Sequence, residues 1–112
     1  MALCFEVRIN DGEPVIAGLE DIDVLSVLVS LVSARHELKC QVGGLVKHGL
    51  HDNEHVEWLT RELTPGDQVS IRIVESAHPT TPARRERPDP EFVAHEERKY
   101  YELLKARYES SR

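Results

Sequence analysis

The sequence predicts an α+β fold with the element order ββαββ, a helical turn before the last strand and an added helix at the C-terminus. Three observations lead to this prediction. Residues 3–9 alternate between apolar and mostly polar side chains, as a strand with one buried face does. Residues 24–35 are apolar at most positions, and residues 89–109 begin with strong helix-starting signals. With 112 residues and 40% hydrophobic side chains, the chain is expected to form one globular body.

The first two strands are predicted to form a hairpin. Asp11-Gly12 directly follows the first strand, and this pair is favoured in tight hairpin turns because both central positions have positive φ. The apolar pattern resumes at residues 15–17, which form the second predicted strand. Pro14 cannot donate a hydrogen bond to a neighbouring strand, so it belongs at the start of this strand or on an edge.

The central helix is predicted over residues 24–35. The acidic run at residues 20–23 suits a helix N-terminus, where carboxylates cap free amides and meet the positive end of the helix dipole. The polar exceptions Ser26, Ser30 and Ser33 recur at spacings of four and three, which on a helix makes a stripe of small hydroxyl side chains. Because this helix is apolar nearly all round, it is expected to be covered on more than one side.

The second half of the predicted body has two more strands and a short helix. Residues 38–42 alternate as a strand, and Gly43-Gly44 predicts a hairpin turn into a short segment at residues 45–48. After an N-cap at Asp52 or Asn53, a helical face is predicted. This face consists of Val56, Leu59 and Leu63. A turn is predicted at Thr64 to Asp67, and the last strand at residues 69–74.

The C-terminal third differs in composition from the body. The predicted division is a core over residues 1–76, a linker containing Pro and Arg over 77–88, and an amphipathic helix over 89–110. Asp89 as N-cap and Pro90 at the first helical position indicate where this helix starts. One face of it carries Phe92, Tyr100, Leu104 and Tyr108.

The charge is acidic and uneven. The net charge is −6, with −7 on residues 1–78 and +1 on residues 79–112, so the body repels phosphate backbones and anionic membrane surfaces. The N-terminal residues lack the apolar core of a signal peptide, and a cytoplasmic protein is expected. Cys4 and Cys40 lie in predicted strands and are expected to be buried, reduced thiols.

Three short segments carry a resemblance to a known fold: Asn10 to Gly12, Val42 to Gly44, and Leu63 to Ile71. With the element order of residues 1–75, they resemble the β-grasp, or ubiquitin-like, fold, and within it the small sulfur-carrier proteins of thiamine and molybdopterin synthesis. The resemblance implies a mixed sheet crossed by one helix. Those carriers act through a C-terminal Gly-Gly, whereas here the last strand continues into Glu75 to His78. The resemblance therefore implies the fold and not the carrier activity.

One motif has the spacing of a metal site. Residues 51–55 match HxxEH, in which two histidines on one helical turn bind zinc and the glutamate activates water. The predicted N-cap at Asp52 or Asn53 leaves His51 outside the helix, which breaks the shared face. The sequence accordingly predicts no metal, no cofactor and no catalytic residue. A metal-binding protein or metal-dependent hydrolase using His51, Glu54 and His55 is the alternative.

The predicted function is that of a non-enzymatic protein-interaction module. Small side chains let another backbone approach closely, and tyrosine is favoured at interfaces. The last helix is expected to pack on its own body or on a second subunit, so the expected partners are another protein or a second copy in a homodimer. A small-ligand binder on an exposed sheet face is a further alternative. The predicted interface consists of Ser26, Ser30, Ser33, Phe92, Tyr100, Leu104 and Tyr108.

Overall fold

The computed structural model describes residues 1–110, which form seven strands, a 3₁₀ turn and one α-helix. The strands are β1 (Ala2–Ile9), β2 (Val15–Ala17), β3 (Val24–Val32), β4 (Glu37–Gly49), β5 (Asp52–Glu62), β6 (Val69–Ser76) and β7 (Arg84–Glu86). The 3₁₀ turn is Ser33–Arg35, and the helix is α1 (Pro90–Ser110).

The strands form two antiparallel sheets that pack through one core. One sheet has the order β2-β1-β6 and the other β3-β4-β5-β7, so the chain is a mixed α+β protein. Both sheets supply the core, which consists of Val7, Ile9, Ala17, Cys40, Val42, Val46, Val56 and Trp58. Strand β1 pairs with β6 along its whole length, from Ala2 opposite Ser76 to Ile9 opposite Val69.

The predicted N-terminal hairpin and last strand are confirmed. Strand β1 pairs with β2, with Val7 opposite Val15. The turn between them is closed by a hydrogen bond from the Gly12 amide to the Ile9 carbonyl at 3.1 Å. The positive φ predicted at Asp11 and Gly12 is wrong, because in this turn Asn10 has the positive φ, at 56°. The helix predicted from Asp89 is confirmed as α1.

The helix predicted over residues 24–35 is wrong. Residues 24–32 form β3, and all nine pair with β4, from Val24 opposite Leu45 to Val32 opposite Glu37. Four of the nine are valine, whose branched Cβ favours an extended backbone. The β-grasp arrangement is not confirmed, because the segment expected to cross the sheet as a helix is a strand within it.

The hairpin turn predicted at Gly43-Gly44 is also wrong. Both glycines lie inside β4, and the chain reverses after Gly49. A Cβ at Gly44 would overlap the Val24 carbonyl oxygen, and a Cβ at Gly43 would lie 2.6 Å from the Val56 carbonyl oxygen. The glycines are therefore required by the close approach of neighbouring strands.

The short helix predicted after Asp52 is strand β5. Val42 lies opposite Leu59 and Gly43 lies opposite Glu57, so Trp58 is an extra residue at a β-bulge. The bulge turns Trp58 and Leu59, neighbours in sequence, toward the same core. This shift of period produces the three- and four-residue apolar spacing that resembles a helix.

The segment expected to be a linker is hydrogen-bonded to one side of the body. Thr80 exchanges two hydrogen bonds with Ile16, each 2.9 Å, and its carbonyl accepts the Trp58 indole N–H at 2.7 Å. Strand β7 then pairs with β5. Within residues 1–110, β3 pairs only with β4 and β6 only with β1, which leaves each of them with an unpaired edge.

Helix α1 makes the molecule long. The radius of gyration is 18.6 Å and the longest dimension 62 Å. A compact chain of this length has a radius of gyration of about 13 Å. No helix among the described residues has both the length and the apolar character needed to span a bilayer.

Candidate interaction surfaces

Two arginines hold the chain that leads into α1. Arg85 donates through Nε and Nη2 to the two carboxylate oxygens of Glu54, at 2.8 and 2.9 Å. Arg87 donates in the same way to Asp52, at 3.0 and 2.7 Å. Such two-point arginine–carboxylate pairs are among the stronger hydrogen-bonded contacts in proteins. They fasten residues 85–87 to the start of β5, and we refer to these two pairs as the arginine clamp.

The clamp was missed by sequence reasoning, which placed the arginines in a linker over residues 77–88. A signal is present: Arg85 and Arg87 are two residues apart, as are Asp52 and Glu54. In an antiparallel pair, side chains at that spacing share a face. The signal becomes readable only when β7 is known to pair with β5, with Arg85 opposite Val56.

The clamp also sets the ionisation of its carboxylates. Hydrogen bonds from Arg85 and then from His48 lower the pKa of Glu54 to about 2. A hydrogen bond from Arg87 is the main cause of a lowered pKa at Asp52. Both groups are therefore ionised and engaged at neutral pH.

The variant Glu54→Gln should remove the part of the acid sensitivity that the Glu54–Arg85 pair of the clamp confers. The folded-state pKa lies below the ordinary value of 4.5, so the ionised carboxylate stabilises the fold above that value. That contribution is lost as the pH falls toward 2. In thermal unfolding followed from pH 6 to pH 2.5, the midpoint temperature of the wild type should decrease once the pH is below about 4.5. The variant should start a few degrees lower and fall less steeply.

The matched control is Glu62→Gln, which removes an exposed carboxylate from the same strand. It should keep the wild-type dependence on pH. Equal slopes for Glu54→Gln and the wild type would contradict the role of the clamp.

The structure does not bring the candidate metal ligands together. His51 lies in the turn between β4 and β5 with a φ of 63°, and its ring meets the Tyr100 ring edge-on at 5.9 Å. His55 lies further along β5, and four residues along a strand span about 13 Å. Glu54 is engaged by Arg85 and lies 3.0 Å from His48 Nε2. Across residues 1–110, no group of three His, Cys, Asp or Glu side chains is placed to hold a metal ion.

Both thiols lie in the interior. Cys4 and Cys40 are unpaired and completely buried, which confirms their predicted burial. Burial raises the pKa of both thiols. The thiols are thus protonated at neutral pH and lie out of contact with solvent.

The predicted stripe of three serines is not formed. On strand β3 the side chains alternate between faces, so Ser26 and Ser30 share the outer face of the sheet with Leu28 between them. Ser33 falls in the 3₁₀ turn after the strand. Several apolar side chains of this strand are more than 40% exposed, namely Val24 (44%), Leu28 (54%), Val29 (51%) and Leu31 (68%).

A shallow depression of about 370 Å³ lies on the face of the four-stranded sheet, beside this strand. Ser26 and Leu28 line it on one side and Arg84 and Glu86 on the other, with Gly43-Gly44 between them. The depression therefore reaches the unpaired edge of the sheet. Sequence reasoning considered a ligand on a sheet face but had no means of placing a pocket.

Helix α1 exposes the four residues predicted for its interface. The helix starts at a side-chain cap, in which the Asp89 carboxylate accepts the Glu91 amide at 2.8 Å. Tyr100 meets the turn at His51. The exposed fractions are 54% for Phe92, 42% for Tyr100, 42% for Leu104 and 68% for Tyr108. The predicted interface residues therefore lie on three elements: the edge strand β3, the 3₁₀ turn that follows it, and the helix α1 that extends from the body.

Comparisons with protein-family models, with curated proteins and with solved structures found no match to this chain.

Proposed function

We propose that the protein is a non-enzymatic protein-interaction module, in which the two-sheet body presents α1 to an apolar groove on a partner protein. The observation that carries the proposal is the exposed face of α1. Phe92, Tyr100, Leu104 and Tyr108 recur at multiples of four residues, and each is more than 40% exposed. Apolar side chains gathered on one helical face stabilise a complex when a partner removes them from water.

The attachment of α1 to the body supports this role. The arginine clamp and the pairing of β7 with β5 hold the chain up to Arg87, and Asp89 then caps the helix. The helix is thus presented from a defined point rather than from a flexible tail. Presentation of this kind lowers the entropy lost on binding, because less chain has to be ordered.

The helix also indicates the chemistry of its partner. Twenty-one residues span about 30 Å at 1.5 Å per residue. The apolar repeat is interrupted by Glu96, which lies four residues after Phe92 and four before Tyr100, while Arg98 and Lys99 lie outside the apolar face. The fitting partner therefore has an elongated apolar groove that also accommodates the Glu96 carboxylate.

The surroundings of the carboxylates and thiols of the body favour an interaction role over a catalytic one. Asp52 and Glu54, the carboxylates nearest the histidine motif, are ionised and held by arginines. The two thiols are buried. These groups stabilise the body, which agrees with a scaffold that presents α1.

Leu104→Ser tests the proposal, with Glu102→Ser as the matched control on the opposite side of the helix. Cross-linking in cells that express the full chain would identify the partner, and the purified pair would be measured by calorimetry. Loss of an interface anchor is expected to weaken binding about tenfold or more, while the control binds like the wild type. Circular dichroism would verify that both variants keep α1. Equal affinity for Leu104→Ser and Glu102→Ser would contradict the proposal.

A further inference from the structure

Strand β3 is an edge strand without the features that usually protect one. Natural edge strands are commonly guarded by charged residues, proline or bulges. Residues 24–32 contain no charged residue and no proline, and all nine pair in unbroken register with β4. The other edge of the strand is unpaired within the described chain. Its backbone amides and carbonyls on that side are open to a further strand.

The second open edge, β6, differs from β3 because it contains charged residues. It carries Arg72 and Glu75 within its eight residues. Charges on an edge oppose pairing with another strand, since they would lose water. Of these two edges, β3 is the one suited to association.

The sequence of β3 indicates what pairs with it. Residues 24–32 read Val-Leu-Ser-Val-Leu-Val-Ser-Leu-Val, which is the same in both directions with Leu28 at the centre. Two antiparallel strands related by a two-fold axis pair each residue with its mirror position. With the axis at Leu28, every residue of β3 faces a residue of its own type.

We propose that β3 pairs antiparallel with β3 of a second copy about a two-fold axis at Leu28. The pairing joins two four-stranded sheets into one sheet of eight strands. Ser26 lies opposite Ser30 of the second copy on the outer face, where hydroxyl pairs are favourable. Leu25 lies opposite Leu31 of the second copy on the inner face. The exposed Leu28, Val29 and Leu31 side chains gain apolar neighbours across the axis.

The charges beside the strand agree with this arrangement. Glu20, Asp21 and Asp23 precede β3, and Arg35 follows it, with its side chain 77% exposed and its Nη1 3.8 Å from Glu37 Oε2 of the same chain. An antiparallel pair brings the start of one strand beside the end of the other. The acidic run of each copy therefore approaches Arg35 of the second copy. The paired residues carry no charge, so the strands do not repel each other although each chain has a net charge of −6.

Cysteine cross-linking of the full chain tests the register, because the native Cys4 and Cys40 are buried. Leu28→Cys should form a disulfide-linked dimer under mild oxidation, since it faces its own copy. Ser26→Cys mixed with Ser30→Cys should form the mixed dimer more readily than either variant alone. Equal cross-linking of all combinations, or none for Leu28→Cys, would overturn the pairing.

The oligomeric state provides the second measurement. Size-exclusion chromatography with light scattering, from micromolar to near-millimolar protein, should show a wild-type dimer. Leu28→Lys sets two charges face to face at the axis and should weaken the dimer at least about tenfold. The control Ile73→Lys, at a site 67% exposed on β6, should remain dimeric. A monomeric wild type, or an equally stable Leu28→Lys dimer, would overturn the pairing.

The pairing concerns a different surface from α1 and goes beyond the proposed function. The two are separable, because Leu104→Ser tests the partner and Leu28→Lys tests the dimer. A monomeric chain whose partner binding depends on Leu104 contradicts the β3 pairing alone. A dimer that depends on Leu28, with partner binding indifferent to Leu104, contradicts the proposed function alone.

Discussion

A chain that ends after Ser76 is expected to have an unfolding free energy lower than that of the full chain by about 3–4 kcal/mol or more, because it loses the arginine clamp and four further hydrogen bonds of about 1 kcal/mol each. These bonds join Thr80 to Ile16 twice, Thr80 to Trp58, and Ala83 to Glu57. The truncation also removes β7 from β5. Since domains of this size are typically stable by about 5–15 kcal/mol, the loss is a large part of the total.

The comparison chain ends after Pro88 and lacks only the helical region. It keeps Thr80, β7 and the arginine clamp. Its stability is expected to match that of the full chain, because the face of α1 is largely exposed. Urea unfolding can be followed through Trp58, the single tryptophan of the chain. Equal stability of the two truncated chains would show that residues 77–88 contribute nothing to the body.

Gly44→Ala is expected to destabilise the fold by about 1–3 kcal/mol, as overpacking of a tight site does. The added Cβ would overlap the Val24 carbonyl oxygen and lie 2.8 Å from Ile22 Cδ1. Backbone cannot move aside as a flexible side chain can, so β4 and β3 have to separate at this point. Hydrogen exchange should show that the β3 amides exchange faster in the variant than in the wild type, while the β1 amides exchange as in the wild type.

Gly49→Ala is the matched control on the same strand. Its Cβ would meet nothing closer than Asp52 Cβ, at 4.0 Å, which is an ordinary contact. Its unfolding free energy should lie close to that of the wild type. If Gly44→Ala is as stable as Gly49→Ala, the close approach of β3 to Gly44 is not required by the fold.

Local signals were sufficient for the elements at the two ends of the body and for α1. Strand β1 alternates over residues 5–9, the Asp11-Gly12 pair lies in its turn, and Asp89-Pro90 starts the helix. At the start of β1 the predicted buried face is wrong, because Leu3 is 63% exposed and Cys4 is buried. Each of these signals depends on neighbours in the sequence. The exposed residues of α1 could be named for the same reason, since Phe92 and Tyr100 follow the helical repeat.

The elements in the middle of the chain could not be predicted from local signals. Residues 24–32 are apolar on both faces, so neither a period of two nor a period of 3.6 stands out. In residues 52–62, the bulge at Trp58 replaces the strand period with a helix-like spacing. The arginine clamp joins residues 31 and 35 positions apart, and neither partner is unusual by itself.

By itself, the sequence determined the features that short-range physics controls: the first hairpin, the start of α1 and the aromatic face of that helix. Only the tertiary structure decided that residues 24–32 form an edge strand, that Gly43-Gly44 lie within a sheet and that Arg85 and Arg87 hold the approach to α1. The physical reason is that an apolar segment forms whichever element satisfies its backbone hydrogen bonds while burying its side chains. For β3 that choice depends on β4, whose pairing residues lie up to twenty-one positions away along the chain.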